Sequence, residues 1–392
     1  MFTIPTFNIG VPIRMEDTLI FFYLIINLRN ILNSRVFKTI QVKSLVIFSF
    51  ISFLSLFKSI LEGYSSSFSD FNTIFMNIKA IMIFVIGFNL LNKENDYSKI
   101  FNYLSIGLFI SSIFSIIQYF DIGGIGKLLY LVYGKEERIE YGIIRSIGSV
   151  GNPNYASYFS ITLFLIIIFF YKSRYKLLSL IPLLAAILSF SRTGIISVIV
   201  ILFILFIFYK TKFSTKLIII SIAAVSLFNF SSLLTEKTRL GTILDQGKAM
   251  DTSLGGRSNL IWESKLQSFY DKPFLGIGTL KNNNSDTVFD ITVFDNSYLY
   301  LLITSGIIGF ICYSIFYTDI IFNILRKFKK NKIYLFILLY LLNTFIFFIT
   351  TDLIKNIFYL SFNMLVFGII KKIFINDARK RNISHNSNLK LE

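Results

Sequence analysis

Three arginines and one carboxylate carry the sharpest chemical signal in the sequence. Arg192 lies in Leu188-Ser189-Phe190-Ser191-Arg192-Thr193-Gly194, between two apolar runs with almost no loop between them. A guanidinium there can snorkel to the interface. It can also hold a phosphate-type anion in a bidentate fork, because it stays charged in a low-dielectric pocket. Arg257 follows Gly255-Gly256. That pair permits a tight turn ahead of a helix, so an anion would meet both the side chain and a helix N-terminus. Arg145 precedes a polar, Gly-rich approach to an apolar run that holds Asn152, Pro153, Asn154 and Tyr155. This stretch either lines a mouth or starts a helix, with Asn154 as the N-cap. Asp295 stands before Asn296, Ser297 and Tyr298, where the next apolar run begins. Its carboxylate suits either a helix cap or the acceptance of a proton from a hydroxyl. Trp262 and Tyr298 are weaker candidates for stacking on a ligand.

Other chemistries are missing from the sequence. It has no P-loop and no dinucleotide-binding glycine fingerprint. The only histidine, His385, sits in a basic tail, so neither a Ser-His-Asp set nor a His/Cys metal cluster is expected. The single Cys312 excludes an intramolecular disulfide. No metal or cofactor is expected. Lys79 and Lys58 are the few charges inside apolar runs, which argues against proton-coupled transport.

The elements that must position these residues are transmembrane helices. Hydrophobic residues make up 54% of the 392 positions and charged ones 16%, too few charges for a soluble domain. Forty-five Phe and 21 Tyr suit lipid contact and the headgroup belt. Apolar runs occur near residues 18–34, 44–61, 72–91, 100–120, 155–171, 177–190, 193–209, 215–232, 296–322, 333–350 and 356–375. The expected fold is therefore an all-α, polytopic bundle of about eleven spans (10–12), with 177–190 short enough to be tilted or re-entrant. The net charge of +17 does not indicate nucleic acid, because the bases lie in short clusters between apolar runs. Alternate loops are basic: Arg35 to Lys43, Lys93 to Lys99, Lys172 to Lys176, Lys210 to Lys216, Arg326 to Lys332, and the tail 376–392. The positive-inside rule puts these in the cytoplasm and the N-terminus outside, with no cleavable signal peptide. The segments 62–71, 121–154, 191–192, 233–295 and 351–355 then face outward. Residues 233–295 form the largest outer loop, in which 258–270 has the spacing of an amphipathic helix and Gly276 and Gly278 read as turn residues. No linker or repeat divides the chain, so 1–392 reads as one membrane domain.

The ordered set of motifs resembles the O-antigen polymerase and O-antigen ligase superfamily. The matching pieces are Arg145-Ser146-Ile147-Gly148 with Gly151 to Tyr155, Ser191 to Gly194, and Gly256-Arg257 with Trp262. Pro273 with Gly276-Ile277-Gly278, and Asp295 to Leu299 with Gly306 and Gly309, complete the set, which spans roughly residues 140–325. The resemblance implies transfer of a glycan from undecaprenyl diphosphate on the outer face of a bacterial inner membrane. It also implies partners of the same pathway, namely a flippase and a chain-length regulator. Ligases pass a finished chain to lipid A-core and typically carry His where this sequence has Asp295. Polymerases join repeat units of O-antigen, capsule or exopolysaccharide, and the Asp favours them. On this reading Arg192, Arg257 and Asp295 are catalytic. Arg145, Asn152, Asn154, Trp262, Asn296 and Tyr298 bind substrate, and the enzyme is a metal-independent inverting glycosyltransferase. A flippase for the same lipid is the alternative from another class.

Overall fold

The computed structural model describes residues 6–8, 12–63, 68–91, 97–133, 139–140, 143–209, 263–279, 296–329 and 331–388. Candidate residues Arg257, Trp262 and Asp295, and the apolar run 215–232, lie outside these residues. Among the described residues, seven helices are long and apolar enough to cross a membrane: α3 (Ile40–Leu61), α4 (Asn72–Leu90), α5 (Tyr97–Phe120), α7 (Pro153–Phe170), α11 (Ser297–Leu325), α12 (Lys332–Thr350) and α13 (Ile357–Asn388). Three other expected runs, 18–34, 177–190 and 193–209, are shorter helices. Residues 18–34 divide at Asn27 into α1 (Met15–Ile26) and α2 (Leu28–Leu32). Residues 177–190 begin as a 3-10 turn and become the nine-residue α8 (Leu180–Leu188), which bears out their shortness. Helix α9 (Arg192–Phe208) has 17 residues. Helices α6 (Ile125–Tyr133) and α10 (Glu263–Asp271) belong to the two long polar segments. Two small antiparallel hairpins, β1 (Thr6–Asn8) with β2 (Pro12–Arg14) and β3 (Ile139–Glu140) with β4 (Ile143–Ile144), are the strands among the described residues. The tail expected after 375 continues α13 as helix to Asn388.

Helix α7 is the most enclosed of the spans. Its Tyr158 hydroxyl donates to Asn363 Oδ1 of α13 at 2.9 Å. Asn343 of α12 accepts from Ser197 of α9 at 2.7 Å and donates to the Tyr158 carbonyl at 3.3 Å. Four helices are thereby tied inside an apolar surround, where each such bond contributes about 0.6 kcal/mol. Helices α4 and α13 approach at backbone distance. A Cβ on Gly87 would meet the Leu365 carbonyl oxygen at 2.2 Å, and one on Gly368 would meet that of Phe84 at 2.2 Å.

Besides these interior bonds, polar contacts between elements cluster at each end of the bundle. At one end Lys371 pairs with Asp319 at 2.6 Å, Lys327 pairs with Asp377 at 2.9 Å, and Lys176 donates to the Tyr209 hydroxyl at 2.8 Å. These bases come from or adjoin the clusters read as cytoplasmic. At the other end the segments read as outward-facing bond to one another: Thr279 with Asp70, Lys272 with Glu62, Tyr155 with Asp352, and Ser297 with Thr351.

Helix α11 is broken at Gly306, which has φ +64° and ψ −173°. The break lies nine residues past Ser297, roughly 14 Å down the helix. Broken backbone at that depth must find partners, since lipid offers none. The segment Pro273–Gly278 supplies them. Ile277 N and Gly278 N donate to the carbonyls of Ile303 and Thr304 at 2.9 and 3.1 Å. In return Ile307 N and Ile308 N donate to the carbonyls of Pro273 and Phe274 at 2.8 and 3.3 Å. Serines one turn apart on α3 complete the joint, Ser55 donating to the Thr304 carbonyl and Ser59 to that of Ile277. Gly276 and Gly278 are thus more than turn residues. A Cβ on Gly276 would fall 2.4 Å from the Ile303 oxygen, and one on Gly306 would fall 2.1 Å from that of Phe274.

Candidate active site

Local sequence explains how the end read as outward-facing is built. Helix α8 ends at Leu188, and Ser189-Phe190-Ser191 turns the chain into α9. Phe190 takes a left-handed φ of +46°, which costs a non-glycine residue about 1–2 kcal/mol, and its ring stacks on Tyr119. Ser191 is the N-cap of α9, its hydroxyl oxygen accepting from Gly194 N at 3.1 Å. Arg192 is therefore the first residue of that helix, half-buried at its positive end. A cation there opposes the helix dipole, and a bound anion would offset both charges.

The Arg145 loop closes on the same turn. Arg145 Nε approaches the Ser189 carbonyl at 3.4 Å, and Ser146 N donates to Leu188 O at 3.3 Å. The Tyr130 hydroxyl of α6 holds the Arg145 carbonyl at 2.9 Å. Helix α7 then begins with a correction to the sequence reading. Its N-cap is Asn152 rather than Asn154, because Pro153 fills the first helical position, where proline's fixed φ fits and its missing N–H is no loss. Asn152 Oδ1 accepts from Asn154 N at 2.8 Å. The Asn154 side chain is released for another task, and its Oδ1 accepts from the Ser191 hydroxyl at 2.8 Å. Arg145, Asn152, Asn154 and Arg192 are thus gathered around one turn.

The start of α11 joins from the far side. Asn296 caps the helix, accepting from Tyr298 N at 2.9 Å and Leu299 N at 3.1 Å. Ser297, fully buried, donates to the Thr351 carbonyl at 2.8 Å and accepts from Leu353 N at 2.9 Å. Thr350 meets Thr193, the residue after Arg192, through a hydroxyl–hydroxyl bond. Tyr298 is directed into the bundle, packed against Phe310 and Phe348, with its hydroxyl on the Phe345 carbonyl. The interior occupies that ring.

The turn between α12 and α13 contains two charged groups that sequence reasoning passed over, Asp352 and Lys355. The Asp352 carbonyl accepts from Tyr155 at 3.0 Å, and its carboxylate accepts from Lys355 N at 3.4 Å. Their signal was a short turn holding one acid and one base, indistinguishable in the sequence from a solvated loop. The described part of the site therefore holds guanidiniums at a helix N-terminus, amides and hydroxyls that orient them, and a carboxylate nearby.

No curated protein matches the chain. Residues 177–314 match the family model described as O-antigen ligase, a stretch that runs from α8 through the first part of α11 and includes Arg192, Arg257 and Asp295. Over these residues the chain is similar to the O-antigen ligase family, which agrees with the resemblance read from the motifs.

Proposed function

We propose that the protein polymerises lipid-linked oligosaccharide repeat units on the outer face of the bacterial inner membrane. The supporting observation is the convergence of Arg145, Asn154, Arg192 and Asn296–Ser297 at the end of the bundle opposite the paired basic clusters. The family's chemistry is glycan transfer, and its substrates are lipid-linked. An undecaprenyl diphosphate ester carries its own activation, which suits a compartment without nucleotide sugars. In the step proposed, an acceptor hydroxyl oxygen bonds to the anomeric carbon as the bond from that carbon to the diphosphate oxygen breaks. A single displacement of this kind inverts the centre. Arg192 and Arg257, with Arg145, stabilise the charge that develops on the departing lipid diphosphate, so no metal is required. Asp295 orients the acceptor hydroxyl and takes its proton late, since an ordinary carboxylate is a weak base. Asn152 and Asn154 hold the arginine turn, and Trp262 stacks on a sugar.

Transfer to lipid A-core is the second reading, favoured by the description of the matched family model. Asp295 in place of the ligases' His favours polymerisation. A flippase would bind the same lipid through cations deep between helices, whereas Arg145 and Arg192 stand at one end. Surface glycan resolved on a gel separates the polymerase from the other two. With Arg192→Ala the display should collapse from a ladder to single repeat units. Loss of all glycan would indicate a ligase or a flippase, and an intact ladder would remove Arg192 from the mechanism.

A further inference from the structure

The proposed chemistry needs Arg192 on α9 and the N-terminus of α11 to keep one separation while substrates differ in length. Between them stands the C-terminal end of α12. Thr193, directly after Arg192, bonds through its hydroxyl to Thr350, the last residue of α12. The next residue, Thr351, gives its carbonyl to the Ser297 hydroxyl at 2.8 Å, and Leu353 N donates back to the same hydroxyl at 2.9 Å. Ser191, on the other side of Arg192, bonds to Asn154. Thr193, Thr351 and Ser297 are all buried. Each strap hydroxyl therefore sits beside a group of the site: Thr193 beside Arg192, and Ser297 beside Asn296.

We propose that Thr193, Thr350 and Ser297 are positioning residues that register the arginine turn of α9 against the start of α11, a role that rests on the polymerase reading for its chemical consequence. These bonds run from side chains on α9 and α11 to the end of α12 and the turn that follows it, whereas a local cap bonds within its own turn, as Ser191 does to Gly194. Hydroxyl pairs are also directional, so losing one loosens the register while leaving apolar packing in place. A misplacement of about 1 Å at a reacting group costs on the order of 100-fold in rate. Binding of the lipid diphosphate depends on the arginines themselves and is largely retained.

The test uses the full chain in nanodiscs, with a Cys312→Ser background and spin labels on Ile196→Cys of α9 and Leu299→Cys of α11. The parent should give one narrow distance distribution. Thr193→Val and Thr350→Val should each broaden it, and the double variant should broaden it no further, because both remove one shared bond. In parallel, turnover on a synthetic lipid-diphosphate repeat unit should fall about tenfold or more, with KM within about twofold, and Thr193→Ser should restore both readouts. Unchanged distances in the Val variants would overturn the proposal, as would broadened distances with unchanged turnover or failure of Ser to rescue. If the parent makes no polymer, the function proposed above fails, while the distance distributions still decide whether the strap sets the register.

Discussion

At the scale of single residues, the structure settles who caps what. Asn296 caps α11 and Asn152 caps α7, so the Asn154 side chain bonds Ser191 beside Arg192 instead of capping its own helix. Arg192→Lys should retain a small part of the activity of Arg192→Ala's parent, because Lys keeps the charge but loses the planar fork. Equal activity of Lys and Arg in a ladder assay would contradict a bidentate anion site. The motif residues were legible as types, but their partners were not. Nothing in the sequence shows that Asn154 accepts from Ser191, 37 positions away, or that Tyr298 turns inward. A pH effect belongs at this scale too. Lys272, hydrogen-bonded to the carboxylate, holds Glu62 below its ordinary value. The pair thus stabilises the docking of 272–279 on α3 above the unfolded carboxylate pKa of about 4.3, and that stability is lost as pH falls through the lower folded value. Glu62 is near the surface, so the effect is modest and screened by salt. Thermal unfolding followed from pH 7 to pH 3 should show a weaker acid dependence in Glu62→Gln, and an identical acid limb would count against the pair.

At the scale of elements, the hydrophobic runs identified the spans because length and apolar content alone decide what crosses a bilayer. Composition did not reveal where a span breaks. Gly306 lies in an unbroken apolar run, and its break exists only because Pro273–Gly278 satisfies the freed backbone groups. Gly306→Ala puts a Cβ 2.1 Å from the Phe274 oxygen at a left-handed φ. It should destabilise the fold by about 2 kcal/mol or more and free the 272–279 segment, read as a lower unfolding temperature and faster backbone exchange there. Wild-type values for both would mean that α11 tolerates a continuous helix. The approach of α9 to α7 makes a second case. A Cβ on Gly194 would lie 1.9 Å from Ser157 Oγ. Gly194→Ala should therefore displace the arginine turn and lower activity, and Ser157→Gly should restore it. Lack of rescue would show that the contact is not what limits the substitution.

At the scale of the whole molecule, charge asymmetry predicted which loops share a face, and contacts at the two ends sort in the same way. Bases of the clusters read as cytoplasmic pair at one end, and segments read as outward-facing bond at the other. Cysteine placed at Lys248 should react with an impermeant reagent in intact cells and cysteine at Lys390 should not; labelling of position 390 would reverse the topology. The central claim is that this outer end joins repeat units without any other acceptor. Its most direct measurement is the product distribution from purified enzyme given one synthetic lipid-diphosphate repeat unit as sole substrate, with EDTA present. Products of two, three and more units should accumulate, and Asp295→Asn should stop them although Asn would cap a helix equally well. A lack of product until lipid A-core is supplied would contradict the account and make the protein a ligase.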